Sequence, residues 1–120
     1  MLTTKRRPLA QLVFCRGCCC GRTDRGRPEL PVEKLKAVWK AEKLNAAVQL
    51  TISGCIGPCD LANVALVISS RGNEWLGQLA GEANYDAIID WARACRASGC
   101  VEPLPEAFAA NGFDPFAAQT

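Results

Sequence analysis

With 120 residues, 49% of them hydrophobic, the chain is long enough for one domain that buries roughly two-thirds of its unfolded surface, and it needs no covalent staples to fold. It has no histidine, which excludes Ser/His/Asp and Cys/His catalytic arrangements, and no run approaches the roughly 18 apolar residues of a membrane span. The net charge is only +2, and no DNA- or RNA-binding motif accompanies it, so nucleic acid is not an expected partner and neither is a membrane.

Residues 9–14 are short and almost wholly apolar, as a doubly covered central strand would be, and Cys15 stands at the strand's exit. From Arg16 to Arg27 the glycines Gly17, Gly21 and Gly26 lie among charges, which is loop chemistry. Pro28 and Pro31 precede a helix expected over 32–44, with Val32, Leu35, Val38 and Trp39 on one face and lysines opposite. Val48, Leu50 and Ile52 then alternate with Gln49, Thr51 and Ser53, a second strand running into Gly54-Cys55. A strand, helix and strand in this order cross over right-handed, so the two strands should be parallel neighbours that deliver Cys15 and Cys55 to the same end of one sheet.

A third strand is expected over 63–69 and a fourth over 74–79, antiparallel because Ser70 to Asn73 form a short turn. Tyr85 to Ala97 reads as a second helix, with Tyr85, Ile88, Ile89 and Ala92 buried, Trp91 on the flank and Gly99 at the end. The proline-rich tail carries Phe108, Phe113 and Phe116, which three-phenylalanine exposure would make sticky, so an extended arm laid on the body is expected. The expected architecture is α/β: a four-stranded mixed sheet in the order strand, helix, three strands, helix, with a domain over 1–100 and an arm over 101–120.

Eight cysteines carry the chemistry. Lys5-Arg6-Arg7 is followed by an apolar run, Leu9 to Phe14, too short for an export signal, so a soluble, cytoplasmic protein is expected, and in a reducing compartment clustered cysteines favour a metal or redox site over structural disulfides. One pair from each run gives Cys15-x4-Cys20 and Cys55-x3-Cys59, enough for the four thiolates of a 2Fe-2S cluster, two per iron. Cluster charge calls for backbone N–H groups aimed at sulfur, which Gly17, Gly21, Gly54 and Gly57 could supply, and for nearby cations. Cations are at hand: residues 1–27 hold Lys5, Arg6, Arg7, Arg16, Arg22, Arg25 and Arg27 against Asp24 alone.

Two other chemistries stay open on these residues. A structural zinc site could use Cys15-x2-Cys18 with Cys55-x3-Cys59. A thiol-disulfide oxidoreductase could use Cys15-Arg16-Gly17-Cys18, its thiol acidified by Arg16 and Arg22. Cys95 reads as a core thiol, Cys100 as a spare one or as the partner of Cys95, and Asp60 as a turn acceptor.

The cysteine spacing, with "SGCIGPCDLANVALVI" after the helix, resembles the thioredoxin-like 2Fe-2S ferredoxins and the related small iron–sulfur subunit of respiratory NADH dehydrogenases, over about residues 9–98. That resemblance implies a thioredoxin-like fold and places the ligands at Cys15, Cys20, Cys55 and Cys59, with Cys18 and Cys19 leaving the second ligand open. It further implies single-electron transfer rather than enzymatic bond chemistry, a redox partner protein, and compatibility with a homodimer. Similar small proteins accompany cobalamin biosynthesis genes. The basic rim of Arg16, Arg22, Arg25 and Arg27 would suit an acidic partner.

Overall fold

The computed structural model describes residues 1–17 and 19–117. It is an α/β fold whose elements are β1 (Ala10–Cys15), α1 (Val32–Ala41), β2 (Val48–Ser53), β3 (Ala65–Ser69), β4 (Gly72–Leu76), α2 (Glu82–Ser98) and β5 (Gly112–Phe113). The five strands form one mixed sheet in the order β2-β1-β3-β4-β5. β1 and β2 are parallel, as the crossover argument requires, and the other three pairings are antiparallel. No helix among the described residues is long and apolar enough to cross a membrane.

The sheet has two unlike faces. Ala10, Leu12 and Phe14 of β1 share a face with Val48, Leu50 and Ile52 of β2 and with Val67 and Ala65 of β3. Both helices cover that face: Val32, Leu35 and Trp39 of α1 and Tyr85, Ile88, Ile89, Trp91 and Ala92 of α2 join one continuous core with it. Trp39 is buried with its indole N–H donating to the Val48 carbonyl at 2.8 Å, so the one polar atom on that ring is satisfied. The opposite face alternates out of phase with it and bears Gln11, Val13 and Cys15 on β1, Leu66 and Ile68 on β3, and Trp75 on β4.

Element ends depart from the sequence expectation where local chemistry decides them. α1 stops at Ala41 rather than residue 44, because Lys43 adopts a left-handed backbone and Leu44–Ala46 tighten into a 3-10 turn. β4 begins at Gly72 and ends at Leu76, since Ser69 pairs with Gly72 and the connecting loop is only Ser70 and Arg71. α2 starts a turn early, at Glu82, and ends at a left-handed Gly99 whose N–H donates to the Cys95 carbonyl at 2.9 Å.

The tail is more than an arm. It crosses α2, where Trp91 donates its indole N–H to the Glu102 carbonyl at 2.7 Å, buries Phe108 and then adds the fifth strand beside β4. Asn111 bonds Gly77 twice, accepting from its N–H at 2.9 Å and donating to its carbonyl at 2.8 Å. A fifth strand therefore replaces the expected four, and Phe116 stays exposed while packing edge-on to Trp75 at 6.0 Å.

Candidate cysteine site

Register brings the two cysteine runs to one end of the sheet. Cys15 is the last residue of β1 and pairs with Ser53, the last of β2, and the Arg16 N–H donates to the Ser53 carbonyl at 2.8 Å. Cys55 follows two residues later, and a Cβ on Gly17 would lie 3.9 Å from its backbone nitrogen, ordinary van der Waals contact. The loop after β1 and the turn after β2 are thus neighbours, as parallel pairing predicts.

Cys15 and Cys20 come together directly. Their Cα atoms are 6.1 Å apart and their sulfurs stand in disulfide contact. Both residues are buried, at 3% and 2% exposure, in a small second core with Ala62 and Val64. Cys19, Ile56, Leu61, Trp75 and Phe113 pack against it. This core lies on the sheet face that the helices leave open, so the cysteine pair is covered by loop and tail instead.

The second pair is placed differently. Cys55 is exposed and Cys59 half-buried, at the start of a 3-10 turn (Cys59–Leu61) that leads toward β3. Among the described residues, no group of three or more Cys, Asp or Glu side chains stands close enough to hold a metal ion. Cys18, which the zinc and oxidoreductase readings both require, lies outside the described residues. Cys95 is on the buried face of α2, where burial pushes its thiol above the usual range and its sulfur accepts the Glu102 N–H at 3.3 Å. Cys100 is exposed, and the two form no disulfide.

Two expected amide donors are turned elsewhere. The Gly21 N–H donates to the side-chain oxygen of Asn63 at 2.8 Å, and the Gly17 N–H to the Cys20 carbonyl at 3.4 Å, so protein oxygens satisfy them. The arginine rim is real but partly paired: Arg22 grips Asp24 through two bonds of 2.8 and 2.7 Å, which hold that carboxyl at about 2, while Arg16 and Arg25 are exposed and Arg27 half-buried. Asp60 is exposed in its turn.

What the sequence reading missed is the cover and the clamp. Trp75 and Phe113 meet over the cysteines, ring centroids 6.0 Å apart, because β5 pairs them across strands. Asn63 is a buried polar residue, 1% exposed, and the signal for it was present: one amide inside the apolar run Leu61–Ile68. Comparison with known proteins finds no matching family model, no matching curated protein and no matching solved structure.

Proposed function

We propose that this chain is a thioredoxin-like iron–sulfur protein that holds a 2Fe-2S cluster on Cys15, Cys20, Cys55 and Cys59 and passes single electrons to a partner protein. The observation that carries this reading is the Cys15–Ser53 register, which sets a thiol pair at one strand end beside a second cysteine turn at the next. The strand order β2-β1-β3-β4, with both helices on one face, supports the thioredoxin-like part.

The donor set suits the group: four thiols, no imidazole in the chain, and one pair already drawn together. When bound, the cluster supplies reversible one-electron chemistry. Cys15 and Cys20 would hold the group on the buried side, where Trp75 and Phe113 pack against them, and Cys55 would hold it on the exposed side. Loading would require the turn over 54–59, whose Ile56 already packs against the core of the buried pair and whose Gly54 and Gly57 have open space around them, to bring Cys55 and Cys59 onto that pair. All four ligands come from protein, so no iron position is kept for a substrate and the chain performs no bond chemistry itself.

Burial argues against the oxidoreductase alternative. A thiol that exchanges with a partner's disulfide must be reached by it, whereas Cys15, the first cysteine of that reading's Cys15–Cys18 pair, is 3% exposed. Arg16 and Arg25, exposed beside the loop, favour an acidic redox partner. The test is anaerobic reconstitution with iron and sulfide followed by metal and acid-labile sulfide analysis. Two irons and two sulfides per chain support the reading; stoichiometric zinc uptake without sulfide replaces it with a structural site.

A further inference from the structure

We propose that Asn63 is the positioning residue of the cysteine loop, a single buried amide that staples both ends of the segment from Gly21 to Glu29 and so fixes where Cys20 places its sulfur. Its Oδ1 accepts the Gly21 N–H at 2.8 Å, immediately after Cys20. Its Nδ2 faces the Pro28 carbonyl at 3.0 Å, the Glu29 carbonyl at 3.1 Å and the Tyr85 hydroxyl at 3.1 Å. Two loop ends and helix α2 thus converge on one side chain.

The chemistry of that convergence selects an amide. One partner is an N–H donor and two are carbonyl acceptors, so the group must accept on one atom and donate on the other. A carboxylate would set a lone pair against two carbonyls, and an alkyl group would leave the part-buried Gly21 N–H and at least one carbonyl without their protein partner. Turning the amide over fails likewise, which fixes its orientation. The main chain at the same point is also committed: the Asn63 carbonyl accepts the Leu79 N–H at 3.0 Å, and the next carbonyl, Val64, accepts the Cys15 N–H at 3.3 Å.

Asn63 therefore sits on a segment bonded to one cysteine's backbone while its side chain holds the residue after the other. The loop's own backbone bonds, such as those from the Arg25 and Arg27 N–H groups to the Arg22 carbonyl at 2.9 and 3.1 Å, run within the segment, and its 3-10 turn Thr23–Arg25 buries no residue, whereas the Asn63 amide ties it to the strand end. Gly21 completes the fit. Its backbone is left-handed, with φ of +72°, and a Cβ there would stand 3.0 Å from the Cβ of Leu30, so the loop lies flat on that side chain.

This inference deepens the cluster reading but does not depend on which metal the thiols hold, and its test uses the full-length, reduced, metal-free protein. Pulsed alkylation with iodoacetamide, with each peptide fragmented in the mass spectrometer so that Cys20 is separated from Cys18 and Cys19 on the same tryptic peptide, reads each cysteine separately. Asn63→Ala is expected to alkylate Cys20 about tenfold faster than wild type, the factor that one net buried hydrogen bond is worth, with Cys95 still protected. Tyr85→Phe, which keeps both loop ends tied, and Ile88→Val, which weakens the helix-side core, should leave Cys20 at the wild-type rate. An unchanged Cys20 rate in Asn63→Ala, or a parallel rise at Cys95, would overturn the proposal. If Asn63→Ala does not fold, hydrogen exchange of the wild-type Gly21 amide decides: slow exchange supports the staple, and exchange at the rate of the urea-unfolded chain refutes it. Failure to load iron leaves all of these outcomes unchanged.

Discussion

The two faces of the sheet are built from the same strands and do different work. On the helix side, Leu12, Phe14, Val48 and Val67 are at most 1% exposed and meet two amphipathic helices, so that face is secured by hydrophobic burial over a wide area. On the other side the cover is local. Gln11 donates to the Thr51 hydroxyl, Ile68 is 41% exposed, and the end of the sheet bearing Cys15 is roofed by Trp75, Phe113, Ile56 and Leu61. One face supplies stability. The other gathers the Cys15–Cys20 pair under a local cover.

That contrast predicts unequal sensitivity to truncation. Phe14→Ala, from the helix face, is expected to cost about 3–5 kcal/mol, whereas Ile68→Ala on the open face should stay within about 0.5 kcal/mol. Urea unfolding of both variants measures this, and similar losses would dissolve the distinction. Gly77→Ala probes the roof. Its Cβ would meet the Leu61 Cβ at 3.0 Å and the Phe113 ring at 3.1 Å, so the tail strand must shift, at about 1–3 kcal/mol, with faster alkylation of Cys15 and Cys20 but not of Cys95.

The arginine rim gives a smaller effect that needs loaded protein. Replacing Arg16 and Arg25 with glutamine should slow oxidation by ferricyanide, an anion, by about tenfold at low ionic strength and leave a cationic oxidant unaffected or faster. Stopped-flow rates against salt read it. Equal slowing of both oxidants would instead indicate damage to the cluster.

The smallest effect lies at the join between the faces. Tyr85 is the chain's one tyrosine, and burial pushes its phenol above the ordinary 10.0, opposed by the Asn63 hydrogen bond and assisted by the Glu29 carboxylate. Because the folded value is the higher one, the unfolded chain loses this proton first. The contribution to stability is therefore fully present below pH 10 and is lost as pH rises from there through the folded value. Phenolate absorbance should begin to rise later in native protein than in urea; coincident curves would show Tyr85 to be solvated.

Much of the helix side was legible because periodicity encodes it. The stripe Val32, Leu35, Trp39 and the alternation Val48, Leu50, Ile52 repeat at helical and strand spacing, and one crossover rule then set β1 beside β2. The cysteine end was legible in its donors and in their shared location. It was not legible in its cover, because Phe113 reaches Trp75 through a two-residue strand too short to show a period, and because prolines made the tail look merely extended. Asn63 was legible as one amide in an apolar run, but what it holds was not: besides the Tyr85 hydroxyl, its partners are backbone atoms of Gly21, Pro28 and Glu29, which carry no side-chain pattern to pair with it.

The most direct test of the account is the visible spectrum of Cys55→Ser after anaerobic reconstitution, set beside wild type. Convergence of the two strand ends on one centre predicts a reddish-brown wild type whose iron–sulfur absorption is lost or strongly altered in Cys55→Ser, while Cys100→Ser is unchanged. A Cys55→Ser spectrum identical to wild type would contradict it, since the turn after β2 would then contribute no ligand.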